Sequence, residues 1–444
     1  QPEAVEAQRF GGPGGSGVSV ASNASTLSDY PVPVRVCVAG LLEPNCRRYE
    51  AGNHKPTGLL QDFGENDSMK FGLMTGSYRL SKSGGMLRKA IDTITNEISA
   101  TDGTYKSGAT TYRNNGGIIA SLDRLRAVGY RDYRTNAWYR NPGRGAGTVY
   151  MTGLDGVTGT GLVATRPFND GEFGGMWGNP VAEMMYETLR YFAGRSGPTA
   201  AFDYGSGTVY DSQLGLPRRS TWTNPYSSAP YCAKPFMTVV SDVNISYDGD
   251  NLPGSAFGSA SDTVGGLDVS AEADAIWDAE FGGPRKVFIG ESAGDYDGAP
   301  SPKVVSTFAD IRGLAPEEPT KQGTYYSASV AKFGRENDIN TTAAAPGRQS
   351  VETFAVALAS PLPRIEIPVG GRKVTLVPFA KSVAGPGPIN AARGQFQPTN
   401  QIVDFYVEDI APDGTSGTFL INFEDVEAGN DHDMDAIVRY SYAV

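Results

Sequence analysis

Oxygen-bearing side chains recur at alternate positions in Asp242-Val-Asn-Ile-Ser-Tyr-Asp-Gly-Asp250, where Asp242, Asn244, Ser246, Asp248 and Asp250 line up. Hard divalent cations such as Ca2+ and Mg2+ take six or more oxygen ligands, so this run is a candidate cation loop. It does not follow the EF-hand pattern, which needs glycine at the sixth position and glutamate at the twelfth. Counted from Asp242 the sixth residue is Tyr247; counted from Asn244, Gly249 fits but the twelfth residue is Ser255. The competing reading is an Asx-rich turn, which uses the same residue types for local hydrogen bonds. Upstream, Phe236-Met-Thr-Val-Val-Ser-Asp242 reads as a buried strand ending in a carboxylate, and open α/β sheets bind ligands where strands end and helices begin.

A helix of the right kind is present at Trp177-Gly-Asn-Pro-Val-Ala-Glu-Met-Met-Tyr-Glu-Thr-Leu-Arg-Tyr-Phe-Ala-Gly194. Asn179 is placed to cap its first turn and Pro180 is pre-shaped for the first helical position. Val181, Met185, Leu189 and Phe192 fall on one apolar face, and Gly194 is placed to end the helix in a left-handed conformation. Free N–H groups at such a helix start favour an anionic or carboxylate neighbour. Asn179 therefore joins Asp242, Asn244, Ser246, Asp248 and Asp250 as a candidate ligand of Ca2+ or Mg2+.

A second chemistry is spelled by Gly290-Glu-Ser-Ala-Gly294, the letters of a nucleophile elbow after a strand, with His432 downstream as a partner for Ser292. The elbow needs a helix directly after the serine, and Asp295-Tyr-Asp-Gly-Ala-Pro-Ser-Pro302 cannot form one. The chain holds two histidines, His54 and His432, so histidine-based catalysis and zinc binding are poorly supplied. Asp431-His-Asp-Met-Asp435 reads as a solvated acidic turn. There is no phosphate-cradling P-loop and no dinucleotide fingerprint.

These residues sit on a chain of 444, long enough for two domains or one α/β domain with large insertions. The net charge is −11 with no basic run, which argues against nucleic acid or an anionic membrane as partner. No apolar run is long enough to span a membrane. The chain opens Gln1-Pro-Glu without a methionine and reads as a processed or excised piece. Cys37 and Cys46 flank a turn-like segment and are placed to close a small disulfide loop, leaving Cys232 over; three reduced cysteines is the alternative.

Residues 1–30 read as a Gly/Ser-rich extended segment. An α/β region is expected over 31–360, with strands at 32–38, 70–78, 236–241 and 285–290. Helices are expected at 86–98, from Ile118 to Gly129, at 180–193 and at 271–281. The glycine-rich stretch 140–176 reads as an insertion loop. From 361 to 444 the pattern turns β-rich, with Ile402-Val-Asp-Phe-Tyr-Val407 and Thr418-Phe-Leu-Ile-Asn-Phe423 joined as a hairpin across Ala411-Pro-Asp-Gly-Thr-Ser-Gly417.

Longer strings carry a resemblance. They include Leu42-Glu-Pro-Asn-Cys46, His54-Lys-Pro-Thr-Gly-Leu-Leu-Gln61, Phe71-Gly-Leu-Met-Thr-Gly-Ser-Tyr78, Trp177-Gly-Asn-Pro-Val-Ala-Glu183 and Tyr231-Cys-Ala-Lys-Pro-Phe236. Others are Leu376-Val-Pro-Phe-Ala-Lys-Ser-Val383 and Asp431-His-Asp-Met-Asp-Ala-Ile-Val438. The chain resembles the PilC/PilY-type proteins of bacterial type IV pili over most of residues 30–444. The resemblance implies an α/β fold, a von Willebrand factor A-like doubly wound sheet with long loop insertions, followed by a β-rich C-terminal region. In such a domain a metal-ion-dependent adhesion site combines a DxSxS loop, a threonine before a helix and an aspartate ending a strand. Asn179 takes the threonine-like place and Asp242 the aspartate-like place, while no DxSxS loop is found. The family's β-propeller is not among these 444 residues.

The implied function is that of a non-enzymatic surface adhesin and pilus assembly factor, secreted and held at the cell surface or pilus. Its partners would be minor pilins or the pilus tip and a host or abiotic surface receptor. A secreted serine hydrolase using Ser292 and His432, and a purely structural filament component, are the alternatives.

Overall fold

The computed structural model describes residues 35–80, 82–106, 116–125, 128–130, 149–154, 162–168, 178–206, 210–213, 215–227, 229–260, 262–292, 301–314, 322–358, 363–378, 382–383, 396–397, 400–425 and 436–444. The chain starts with β1 (Cys46–Arg48), β2 (His54–Pro56), α1 (Leu59–Gly64), β3 (Phe71–Thr75), β4 (Met86–Asp92) and α2 (Ile118–Arg124). Strands β5 (Val128–Tyr130), β6 (Val149–Leu154) and β7 (Leu162–Phe168) follow, then α3 (Val181–Phe192) and α4 (Tyr210–Gln213). Next come β8 (Phe236–Asp242), α5 (Val269–Glu280), β9 (Arg285–Ser292), β10 (Ser301–Val305), β11 (Ile311–Leu314), α6 (Tyr326–Glu336) and β12 (Glu352–Leu358). The last part is all strand: β13 (Ile365–Val369), β14 (Arg372–Leu376), β15 (Ser382–Val383), β16 (Phe396–Gln397), β17 (Asn400–Ile410), β18 (Ser416–Asp425) and β19 (Ala436–Ala443). The fold is mixed α/β with many strands, few helices and a β-rich C-terminus.

The largest core is built on α3. Val181, Met185, Leu189 and Phe192 are buried together with Met237 of β8, Val269 and Ala273 of α5, and Tyr326, Val330 and Phe333 of α6. The helix ends as its sequence dictates. Gly194 adopts φ 75°, its N–H donates to Tyr191 O, and Arg195 N donates to Arg190 O, the paired bonds of a Schellman cap. Strand β8 pairs in parallel with β12, from Phe236 opposite Glu352 to Asp242 opposite Leu358. Helix α6 lies between them in sequence, and its Gly334 lets it approach: a Cβ there would stand 3.2 Å from Leu189 and 3.3 Å from the Val351 carbonyl. The helices among the described residues are all too short or too polar to cross a membrane.

Four expectations are corrected. The helix expected from Ile118 to Gly129 ends at Arg124, and Val128–Tyr130 pairs with β6 as a strand. Residues 86–98 are not a helix: Met86–Asp92 forms β4 against β3, and a 3-10 turn at Ile94–Asn96 follows, with the Thr93 side chain accepting from Thr95 N. Their apolar spacing suits a helix, but β4 is held by a tertiary partner, the wholly buried ion pair of Arg88 with Asp211. The stretch 140–176 contains β6 and β7, which pair antiparallel, because short alternating runs at Val149–Leu154 and Leu162–Phe168 survive between the glycines. Residues 35–38 form no strand. Cys37 sits at φ 55° and is bonded to Cys46, with Cα atoms 5.6 Å apart, so the disulfide and the bridge of Val38 to Leu41 dictate a tight loop. Residues 1–30 lie outside the described part.

The expected hairpin is present as β17 and β18, with β19 added on the far side of β18. A bulge between Ile402 and Asp404 places Ile402 and Phe405 on the same face although they are three residues apart. Ile402, Phe419, Ile421 and Phe423 form the core of this sheet, with Ile365, Phe405 and Tyr440 against them. A separate antiparallel sheet, with β9 between β10 and β11, packs on fully buried Trp277 of α5.

Candidate functional site

The start of α3 meets the end of β8. Asn179 and Ser246 form an isolated bridge: Asn179 N donates to Ser246 Oγ at 2.8 Å, and Ser246 N donates to Asn179 O at 3.0 Å. This bridge turns the Asn179 side chain over the end of the strand. Its Nδ2 lies 2.8 Å from Ser241 Oγ, 3.2 Å from Asp242 Oδ1 and 3.2 Å from Asn244 O. An amide nitrogen carries two hydrogens, so three oxygens converge on a group that can satisfy two of them. Asp242 Oδ1 also accepts from Asn244 N at 2.8 Å, an Asx turn that fixes the loop.

The other three predicted ligands face elsewhere. Ser246 is buried against Asn179. Asp248 is completely buried: its Oδ1 accepts from Thr324 N at 2.8 Å and Thr324 Oγ1 at 2.9 Å, and its Oδ2 from Ala182 N at 3.4 Å. Asp248 thereby receives a free N–H of the α3 start, the role expected of Asn179. The helix cap itself is Pro180, with no side-chain hydrogen bond. Burial pushes the Asp248 carboxyl up to about 7, against the pull of its donors. Asp250 is exposed and lies beside Glu183.

Glu183, in the first turn of α3, is fully buried. Its Oε1 accepts from Asn251 N at 3.0 Å and Asn251 Nδ2 at 3.2 Å, and its Oε2 from Gly84 N at 2.6 Å. Burial first, and then the Asp250 carboxyl, push it up to about 9. Around neutral pH Glu183 is therefore a neutral acid that pins the loop after β8 and the turn before β4 to one helix end.

Two family models match the chain. One, described as PilY1 homolog, second domain, covers residues 71–334; the other, described as PilY1 homolog, beta-sandwich, covers residues 367–444. The chain belongs to the PilY1 homolog family. Among curated proteins it is similar to the type IV pilus biogenesis factor PilY1 homolog of Xylella fastidiosa (strain Temecula1 / ATCC 700964), with 44% identity over 459 residues. That match takes in 96% of this chain and 29% of the relative, so the chain spans under a third of the relative's length. No solved structure matches.

The elbow pattern at Gly290–Gly294 is described only as far as Ser292. Ser292 is the last residue of β9, is buried, and stands opposite Ile311 of β11 in an antiparallel pair. A nucleophile must instead be presented at a sharp turn from strand to helix. His432 and the acidic turn 431–435 lie outside the described residues, and His54 is in β2 opposite Arg48. Cys37, Glu43 and Cys46 are the one trio of His, Cys, Asp or Glu ligand atoms within 4.8 Å of one another among the described residues. With the disulfide closed their sulfurs offer no thiolate.

Sequence reasoning missed Ser241, Glu183 and Thr324. Ser241 directly precedes Asp242, and Glu183 is the acidic residue in the first turn of α3, so both carried a local signal. Thr324 carried none: it reaches Asp248 from a distant loop.

Proposed function

We propose that this chain forms part of a type IV pilus biogenesis factor that works by binding, not catalysis. In this reading residues 31–360 are a von Willebrand factor A-like α/β domain with insertions, and 361–444 are a separate β-rich unit. The domain's binding end is where β8 gives way to the loop 242–250 over the start of α3. The factor is displayed outside the cell at the pilus, and contacts minor pilins and a host or abiotic surface.

One observation carries the location of the site: three oxygens, from Ser241, Asp242 and Asn244, gather on the Asn179 amide at the end of a parallel strand. Turning that amide over replaces a donor by a fourth oxygen. This donor set is all oxygen and carries one carboxylate charge, which fits Ca2+ or Mg2+ and not a soft metal. Asn179, Ser241, Asp242 and the Asn244 carbonyl would hold the ion. Bound there, the ion supplies a positive charge that attracts an acidic group of the partner. The family resemblance supports adhesion, and the relative's name supports pilus biogenesis.

The test is binding of the full-length protein to purified pili, with and without Ca2+ or Mg2+, in the parent and in Asp242→Ala. Metal-dependent binding lost in Asp242→Ala, with the thermal midpoint otherwise kept, is the expected result. A ligand that binds the folded state must also raise the thermal midpoint. No shift with either ion removes the metal from the reading, and no binding to pili removes the reading itself.

A further inference from the structure

Glu43 stands beside the disulfide in a way the closed bridge does not explain. Its Oε2 accepts from Cys37 N at 2.9 Å and lies 3.0 Å from Cys46 Sγ. A carboxylate can take a hydrogen bond from a thiol, but a bridged sulfur has no hydrogen to give. Cys37 and Cys46 are bonded to each other, so the contact with Cys46 is idle while the disulfide is closed. Opening the bridge gives it a use. The two sulfurs and a carboxylate oxygen of Glu43 lie within 4.8 Å of one another, so two thiolates and a carboxylate would then converge. Two sulfurs and one oxygen suit Zn2+, whereas Ca2+ and Mg2+ take oxygen alone and Cu+ favours sulfur.

The frame that gathers these three groups does not depend on the sulfur–sulfur bond. Cys46 opens β1 opposite Pro56 of β2, and Thr57 N donates to Asn45 O at 2.9 Å. Cys46 N donates to Glu43 O at 3.0 Å and Leu41 N to Val38 O at 2.8 Å, so the backbone ties the short loop at both ends. Cys37 is held by its own N–H on Glu43. Two thiolates on one zinc stand about 3.8 Å apart, against about 2 Å in a disulfide, and side-chain rotation supplies the difference. The Cα atoms, 5.6 Å apart, can stay where they are. Cys37 is 7% exposed and Glu43 is exposed, so a metal would enter from the Glu43 side, with water completing its four-coordination.

We propose that Cys37, Cys46 and Glu43 form a redox-gated zinc site, available to Zn2+ when the pair is reduced and shut by the disulfide. A dithiol reductant gives two electrons to the bridge and becomes a disulfide itself, and the two thiols formed release their protons as Zn2+ replaces them. In the reverse direction a disulfide oxidant takes two electrons from the zinc-held thiolates. The Cys37–Cys46 bond forms, the oxidant takes up two protons and leaves as two thiols, and Zn2+ is released. Before oxidation the zinc keeps Cys37 beside Cys46 and apart from Cys232, which is exposed and free, so the pair seen in the structure is the one that closes. Neither the pilus partner nor the oxygen cluster at Asn179 enters this inference.

The test reduces the full-length protein with a phosphine under nitrogen, removes the reductant, and titrates Zn2+ against a chromophoric chelator, beside the oxidised protein. The expected result is one tightly held Zn2+ in the reduced protein that the oxidised protein lacks, with a thermal midpoint raised by Zn2+ in the reduced form only. Co2+ in its place is expected to show the ultraviolet charge-transfer absorption of thiolate ligands. Glu43→Gln keeps both cysteines and the disulfide, and is expected to weaken Zn2+ binding about tenfold or more. Cys232→Ser is expected to bind as the parent does. Equal Zn2+ uptake by the two redox forms means an adventitious ion only and overturns the proposal. So does a reduced protein that binds none, a Co2+ complex without the thiolate band, full affinity in Glu43→Gln, or lost affinity in Cys232→Ser. The pilus-binding test above can fail while the zinc is found, and the reverse, so the two readings fall separately.

Discussion

Arg88 donates from its Nη2 to Asp211 Oδ1 at 2.6 Å, and both side chains are completely buried. The guanidinium is otherwise fully used: Nε donates to Thr75 Oγ1, Nη2 also to Gly76 O, and Nη1 to Pro217 O, all at 2.9 Å. The second carboxylate oxygen accepts from Ser77 Oγ and Arg79 N. Helix α4, more than a hundred residues away, is thus fastened to β3 and β4. Asp211→Ala leaves a buried cation without its partner and is expected to cost about 3–5 kcal/mol. Replacing both residues, as Arg88→Met with Asp211→Leu, should recover part of that loss. Urea unfolding midpoints of the two variants check this, and a double variant no more stable than the single one would contradict it.

Glu183 gives a pH dependence of definite sign. In the unfolded chain its carboxyl ionises near 4.5, while in the folded protein it keeps its proton until about 9. Between those values unfolding releases a proton, so this group's contribution is fully present below pH 4.5 and is lost as pH rises to 9. Asp248 acts in the same direction between 3.8 and about 7. In thermal melts from pH 5 to 9, the parent is expected to lose stability relative to Glu183→Gln. Parallel curves for the two proteins would show that Glu183 does not titrate in this range.

Gly84 is the partner of Glu183 and sits at φ 44°, where its Cβ would run into the ring of buried Phe202. Gly84→Ala combines left-handed strain with overpacking, and is expected to cost roughly 2–5 kcal/mol. Gly323→Ala drives a Cβ into the Ile245 carbonyl, in the loop that carries Asn244 and Ser246. It should be comparably destabilising and should also disturb the protease sensitivity of 243–250. Limited proteolysis at a temperature where both variants remain folded separates the two effects.

The cysteines give a simple chemical readout. Without reductant only Cys232, which is exposed and free, should react with iodoacetamide; after reduction Cys37 and Cys46 should react as well. Chain-entropy estimates put the loop closure at about 2–3 kcal/mol for so short a loop. Peptide mass mapping reads the labelling, and three labelled cysteines before reduction would contradict the disulfide.

What could be read in advance followed from local chemistry. The apolar face of α3, its glycine stop, strand β8 ending in Asp242, and the β17–β18 hairpin each rest on residues a few positions apart, and each is present. Two of the failures share a cause. Met86–Asp92 has helical apolar spacing, yet it pairs with β3 and is locked by Asp211, which no window of sequence around residue 88 contains. Asn179 has the type of a helix cap, yet it gives its amide to Ser241 and Asp242 because Asp248, held by Thr324, already receives a helix N–H. The candidate site was therefore legible as a region, from Asn179 and from Asp242 onward. Which oxygens converge was decided by partners distant in the chain.

The parallel pairing of β8 with β12 also imposes an order of events. The strand that carries Asp242 has no described partner until Glu352–Leu358 has been made, and α5, the β10-β9-β11 sheet and α6 all come between. Closing so long a loop is entropically slow. A chain that emerges vectorially from its amino end must therefore hold the apolar residues of β8 unpaired while that stretch follows. During that interval Phe236-Met-Thr-Val-Val, β-prone and uncharged, is the segment most open to aggregation, and the one a chaperone would be expected to shield.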